Sequence, residues 1–185
     1  MRSSRRFLLF LLAPTLLAAQ VSSLGSGRKV IEAKSVVRSF LEQDYRGGRL
    51  SPEPLKKLLT LTTWKTDPEW QAITVISHYD ITSGKTEGLH RANIGVTYYV
   101  TGRYLLGVGY TAETEQQDAV FLVGENEDTW KLEEMDPPLS PHVSRAALVQ
   151  WLKNNLPKEQ DAMRKAAIQN AIKQLDTPAP PAASR

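Results

Sequence analysis

The chain has 185 residues, 23 Lys+Arg against 20 Asp+Glu, and no cysteine. Lack of cysteine excludes a disulfide-stapled scaffold, a thiol nucleophile, a thiolate metal site and a lipoprotein-type anchor. The basic surplus is Arg2, Arg5 and Arg6, so the remainder is formally neutral without a Lys/Arg cluster, which argues against nucleic acid as a partner.

Those three arginines open an N-terminal signature. A basic head is followed by the apolar run Phe7–Ala19 and the small residues Ser22 and Ser23. The run is too short to span a bilayer, and the pattern is that of a secretory signal. Residues 1–23 are therefore expected to be a signal peptide, cut after Ala19 or Ser23, and the protein to be exported, periplasmic or secreted. Retention of the segment as an anchor is the alternative. Later apolar stretches are short, so the mature chain is not expected to insert stably in a membrane.

A first helix is expected over residues 28–46. Val30, Ala33, Val37, Phe40, Leu41 and Tyr45 recur at steps of three and four, and Gly47-Gly48 stops the helix. Ser51-Pro52 begins a second helix with Leu55, Leu58 and Leu59 as its stripe. Asp67-Pro68 repeats the cap-and-proline signal for a short helical turn around Trp70. The period then becomes two. Ile73, Val75, Ser77, Tyr79 and Ile81 alternate with Thr74, Ile76, His78 and Asp80 in a strand. Ser83-Gly84-Lys85 reads as a turn. Ala92, Ile94, Val96, Tyr98 and Val100 form one face of a second strand. Gly102, Gly107 and Gly109 suggest a bend or bulge over 102–115. Residues 119–123 and 129–133 are further strands, joined by a turn at 125–128.

Pro137, Pro138 and Pro141 end the sheet. Ser144–Leu156 is a helix with Leu148, Trp151 and Leu152 on one side. Residues 157–175 form a weakly amphipathic C-terminal helix with Ile168, Ile172 and Leu175 as its stripe. The Pro/Ala-rich residues 176–185 are expected to be a disordered tail. The fold class is α+β, with N-terminal helices on a curved, mainly antiparallel sheet of about four to five strands and an added C-terminal helix. The domain spans residues 24–156.

Residues 30–134 resemble the nuclear transport factor 2-like superfamily, which includes ketosteroid isomerases and polyketide cyclases. The likeness rests on the opening helix ending Phe40-Leu-Glu-Gln-Asp-Tyr-Arg-Gly-Gly48, the second helix begun by Leu50-Ser-Pro52, and the connection Trp64–Trp70. Long antiparallel strands closing on Thr129-Trp-Lys-Leu132 complete it. The resemblance implies a cone: a strongly curved sheet wrapped around helices, with an internal pocket. It also implies dimerisation through the open face of the sheet. The helix at 144–156 lies beyond the usual closing strand and is expected to cover the sheet or the pocket mouth.

His78 and Asp80 share a strand face, so they are the candidate acid–base pair if that face lines the cone. The alternation instead assigns Ile73, Val75 and Tyr79 to the inward side, which leaves His78 and Asp80 solvated. Tyr79, Tyr98, Tyr99, Trp64 and Trp70 are the candidate pocket residues. Tyr98 and Tyr99 lie on opposite faces, so one of them points inward. His90 and His142 have no partners at metal-ligand spacing, and neither a metal nor a cofactor is expected. There is no Gly-x-Ser-x-Gly elbow and no phosphate-binding glycine loop. The leading expectation is an exported non-catalytic domain that binds a small apolar ligand or a protein partner. An isomerase, dehydratase or cyclase using Asp80 or His78 as base, and an envelope-associated assembly subunit, are the alternatives.

Overall fold

The computed structural model describes the backbone from Thr15 to Thr177, apart from residue 128, and side chains from Gly27 onward. Residues 178–185 of the expected C-terminal tail and most of the apolar head of the expected signal lie outside those residues, whereas Asp176 belongs to the last helix.

The first helix, α1 (Thr15–Tyr45), is longer than its apolar pattern predicts and runs without a break through positions 19–24. Ala33, Val37, Phe40 and Leu41 are buried on one side of it, as a 3.6-residue period requires. Gly47 ends the helix with φ 83°, a left-handed conformation that glycine adopts without steric cost. A 3-10 turn over Gly48–Leu50 leads to α2 (Pro52–Leu59), of which only Leu58 is buried. No helical turn follows Asp67-Pro68: residues 67–70 belong to no regular element. The Asp67 carboxylate is bound by the side chains of Arg49 and Trp70, so it is not free to cap a helix.

Six strands form one curled sheet: β1 (Ala72–Ile81), β2 (Lys85–Glu87), β3 (Arg91–Leu105), β4 (Gly109–Asn126), β5 (Thr129–Asp136) and β6 (His142–Ser144). The order is β5-β4-β3-β1-β6, with β2 also paired to β3. All pairs are antiparallel except β1–β6, which is parallel. The sheet thus continues past the prolines through β6, a strand the sequence pattern did not indicate. The tight turn into β3 falls at Gly88 (φ 69°) rather than at Ser83–Lys85, because residues 85–87 pair with β3. The strand predicted at 119–123 extends back to Gly109 as one arm of a long β3–β4 hairpin.

The bulge expected near Gly102 is present, and β1 carries a matching one. The register breaks at Val100/Gly102 and again between Ile76 and His78. An extra residue in a strand turns the following side chains to the other face. Ile73 and Val75 therefore lie on the opposite side of the sheet from Tyr79 and Ile81, contrary to the simple alternation. On the inner face, Ile76, Ile94, Val96, Tyr98, Val100, Phe121, Val123 and Leu132 pack with α1 and Leu58 of α2. On the outer face, Ile73, Val75, Tyr104 and Val143 pack under α3 (Arg145–Asn155) and α4 (Ala162–Asp176). Leu148 and Leu152 of α3 are completely buried there, with Ile168, Ala171 and Leu175 of α4; Ile172 is only half-buried.

The helix at 145–155 thus covers the outer face of the sheet. It covers only the half beyond the bulges, and the other half stays open. Gly102 sits where this coverage begins, and the Tyr110 ring lies against its α-carbon where any side chain would collide.

Candidate functional site

The inner face has been filled from the protein's own sequence. Phe40 meets Trp64 edge-on at 5.7 Å and Phe121 at 5.9 Å between ring centroids. Phe40, Phe121, Ile94, Val123 and Leu132 have no exposed surface. Trp64 donates its indole N–H to the Glu133 carbonyl at 2.9 Å. Close packing of this kind fills the centre of the inner face, and a groove of about 600 Å³ remains at its edge between Lys29, Glu32 and Val36 of α1 and Glu125, Thr129 and Trp130 of the sheet.

The sheet separates the predicted pocket residues. Tyr79, Tyr98 and Trp64 belong to the inner core, Trp70 packs with the outer core, and Tyr99 stands on the open outer face. They line no common cavity. Tyr98, the inward member of the pair, is buried with its ring 4.1 Å from that of His142.

The open outer face brings His78, Asp80 and Tyr99 together. The β1–β3 register places His78 opposite Tyr99 and Asp80 opposite Thr97. The His78 and Tyr99 rings stack with centroids 4.0 Å apart and planes at 10°. Tyr99 Oη donates to Asp80 Oδ2 at 3.2 Å, and that bond holds the phenol pKa above its ordinary value. Ser77 Oγ lies 2.9 Å from His78 Nδ1, and Thr97 donates to Asp118. The β3–β4 register adds Gln116, Val120 and Leu122 to the same face, with Val120 44% exposed. His78 and Asp80 are both exposed. An acid–base pair in open water lacks the enclosure that tunes proton transfer.

The most perturbed titratable groups form a cluster that the sequence reading did not assemble. Asp44 on the last turn of α1 and His142 at the start of β6 are each 2% exposed, and Arg49 is 3% exposed. The Arg49 guanidinium donates to Asp67 Oδ1 at 2.7 Å and to the Leu139 carbonyl at 3.0 Å, and lies 4.0 Å from Asp44 Oδ2. The His142 backbone N–H donates to Asp44 Oδ2 at 2.9 Å. His142 Nδ1 lies 2.7 Å from the Ser140 carbonyl and Nε2 3.2 Å from Gln117 Oε1. Asp44 Oδ1 and Arg49 Nη2 are buried without a protein partner.

Burial raises the Asp44 carboxyl to about 7, against the pull of Arg49 and of the His142 N–H. Burial also lowers the His142 imidazole to about 4, with Arg49 and Arg103 adding to the effect against the Ser140 hydrogen bond. Such shifts often mark active sites, but they also arise in structural networks. Here Asp44 and His142 are buried, and Arg49 and Asp67 reach the wall of a surface groove. The cluster ties α1, the 3-10 turn, the 61–71 connection, the Leu139 loop and β6 to one another, as a latch would. One trace of it was in the sequence: Asp44 continues the Val37–Leu41 step, an acid on an apolar stripe. Nothing local pointed to its partners, which come from residues 67, 139 and 142.

Three surface grooves bear on what the molecule can bind. One of about 730 Å³ is lined by Leu55, Asp67, Glu69, Trp70 and Leu106, with Arg49 at its floor. A second, of about 380 Å³, lies between the β3–β4 hairpin and the α3–α4 junction. The third, about 550 Å³, lies at the bulges between Tyr45 and Tyr110. Among the described residues no group of three or more His, Asp and Glu is placed to hold a metal ion. No helix among them is long and apolar enough to cross a membrane.

Compared with protein-family models, with curated proteins and with solved structures, the chain matches none.

Proposed function

We propose that the protein is an exported, non-catalytic interaction domain that pairs with a second copy of itself through the open half of the outer sheet face. Export is supported by the basic head and apolar run of residues 1–23. The observation that carries the binding reading is the division between the two faces. The centre of the inner face is packed by α1 and Leu58, whereas the outer face around His78, Tyr99 and Val120 is uncovered. Stacked and hydrogen-bonded side chains already hold one arrangement, so binding there costs little side-chain entropy. Tyr and His beside exposed valine suit the aromatic-rich centre of an interface, and one sheet face presented to its own copy gives a closed two-fold pair. A curled sheet wrapped on an N-terminal helix also supports placing the domain with the nuclear transport factor 2-like superfamily.

Sedimentation of the full chain over a range of concentrations tests the proposal. The expected result is a monomer–dimer equilibrium that Tyr99→Glu and Val120→Glu each shift towards monomer, with unchanged circular dichroism. A monomer at every concentration, or a dimer indifferent to both substitutions, rejects it.

A further inference from the structure

The β3–β4 hairpin ends in an apolar prong. Leu105 is 45%, Leu106 42% and Val108 72% exposed. Two glycines with positive φ, Gly107 at 75° and Gly109 at 136°, form the turn. The Val108 N–H donates to the Leu105 carbonyl at 3.1 Å, and the Leu106 N–H donates to the Gln71 carbonyl at 3.1 Å. The prong is therefore held to the body of the domain in one shape. Exposed aliphatic residues scattered singly need no explanation, but three within four positions of one hydrogen-bonded turn do.

One flank of the prong is basic. The groove beside it is walled by Leu106, Tyr104 and Trp151, and carries Lys158 and Arg164. Arg164 stands against Gly107 at the turn itself. Among the described residues neither Lys158 nor Arg164 is in an ion pair. Glu159, the acid of this groove, accepts the Asp161 backbone N–H at 3.0 Å. Met163, 83% exposed, shares the first turn of α4 with Arg164 and Lys165. Glu69 lies on the other flank, so the α4 side is the one that suits an anionic partner.

We infer that the β3–β4 prong docks the protein on the surface of an anionic lipid bilayer, with Leu105, Leu106 and Val108 entering the interface and Lys158 and Arg164 facing lipid phosphates. A short exposed aliphatic turn needs no matching pocket on a lipid surface, which deforms around it. The cations beside it supply the electrostatic part of such binding. The prong lies at the far end of β3 from Lys29 of α1. Lys29 of α1 bonds to Leu89 and Glu125 at the opposite end of β3. That strand of 15 residues spans about 46 Å at roughly 3.3 Å per residue.

The absence of cysteine makes a site-specific test direct. A polarity-sensitive fluorophore on Val108→Cys, with Thr114→Cys in mid-strand as control, is titrated in the full chain with phosphatidylcholine vesicles containing phosphatidylglycerol. The expected result is a blue shift at position 108 and none at 114. Lys158→Ala and Arg164→Ala should each weaken the response about fivefold at low salt. Leu106→Asp should weaken it about tenfold. No shift at 108, an equal shift with pure phosphatidylcholine, or equal shifts at both positions overturns the inference.

Discussion

At the junction of α1 and β6, Asp44 and His142 share a hydrogen bond and titrate with opposite consequences for stability. The folded state holds the Asp44 proton up to about pH 7, whereas an ordinary aspartate releases it near 3.8. Asp44 alone therefore makes stability fall as pH rises across that window. The His142 imidazole stays neutral down to about 4 in the folded state, against 6.5 for an ordinary histidine. It alone makes stability rise with pH over nearly the same interval. In the wild type the two slopes largely cancel. Asp44→Asn should expose the His142 slope, so that urea midpoints increase from pH 4 to 6.5. His142→Gln should expose the Asp44 slope, with midpoints falling towards pH 7. Each slope is about 1.4 kcal/mol per pH unit for one proton. Equal pH profiles for the two variants would refute the latch electrostatics.

Phe40 sits at the centre of the inner core, in edge contact with both Trp64 and Phe121. Truncating a buried phenylalanine leaves a cavity that its neighbours refill only in part. Phe40→Ala should cost about 3–5 kcal/mol in denaturant unfolding. A loss below about 1 kcal/mol would mean that the inner face is less tightly packed than its burial indicates.

Among the elements, β1 does the most to organise the fold. Its bulge lets one strand serve two cores, sending Ile73 and Val75 under α3 and turning Tyr79 and Ile81 towards α1. The same displacement keeps His78 and Asp80 on the outer side, beyond the reach of α3 and α4. The final helix, α4, depends more on its ends. Asp161 caps it by accepting the Arg164 N–H at 2.9 Å, and Arg145 donates to the Leu175 and Thr177 carbonyls at the other end. Asp161→Ala should cost about 1 kcal/mol. Since α4 buries only Ile168, Ala171 and Leu175, that loss should be read most clearly as faster amide exchange in α4, with β3 and β4 unchanged. Uniform acceleration across the sheet would show that α4 and the inner core open as one unit.

For the whole molecule, the sheet is the shared wall between an inner core with α1 and α2 and an outer core with α3 and α4. Among the surfaces that this arrangement leaves without cover are the half-face around Tyr99 and the tip at Leu105–Val108. The first is broad and polar–aromatic and is assigned here to self-association. The second is narrow and aliphatic and is assigned to lipid. Their tests are independent, since Tyr99→Glu leaves the prong intact and Leu106→Asp leaves the half-face intact.

Local periodicity by itself indicated a helix over 28–46, which the structure extends back to Thr15, the helices begun at Ser51-Pro52 and over 144–156, the shared face of Ala92, Ile94, Val96, Tyr98 and Val100, and the α+β class; it left open which of Tyr98 and Tyr99 points inward. Each of those follows from spacing along one element, a short-range property that the chain carries in its order of residues. Only tertiary structure decided the rest. A β-bulge depends on the partner strand as much as on its own residues, so the change of face after Ile76 had no local signal. The parallel strand β6 exists because β1 offers it an edge. Asp67 reads locally as a helix cap, and becomes an ion-pair partner because α1 and the 3-10 turn bring Arg49 to it. Asp44, Arg49 and His142 meet across about 100 residues of chain because the curled sheet closes on the end of α1, and burial there, which no stretch of sequence contains, sets their protonation.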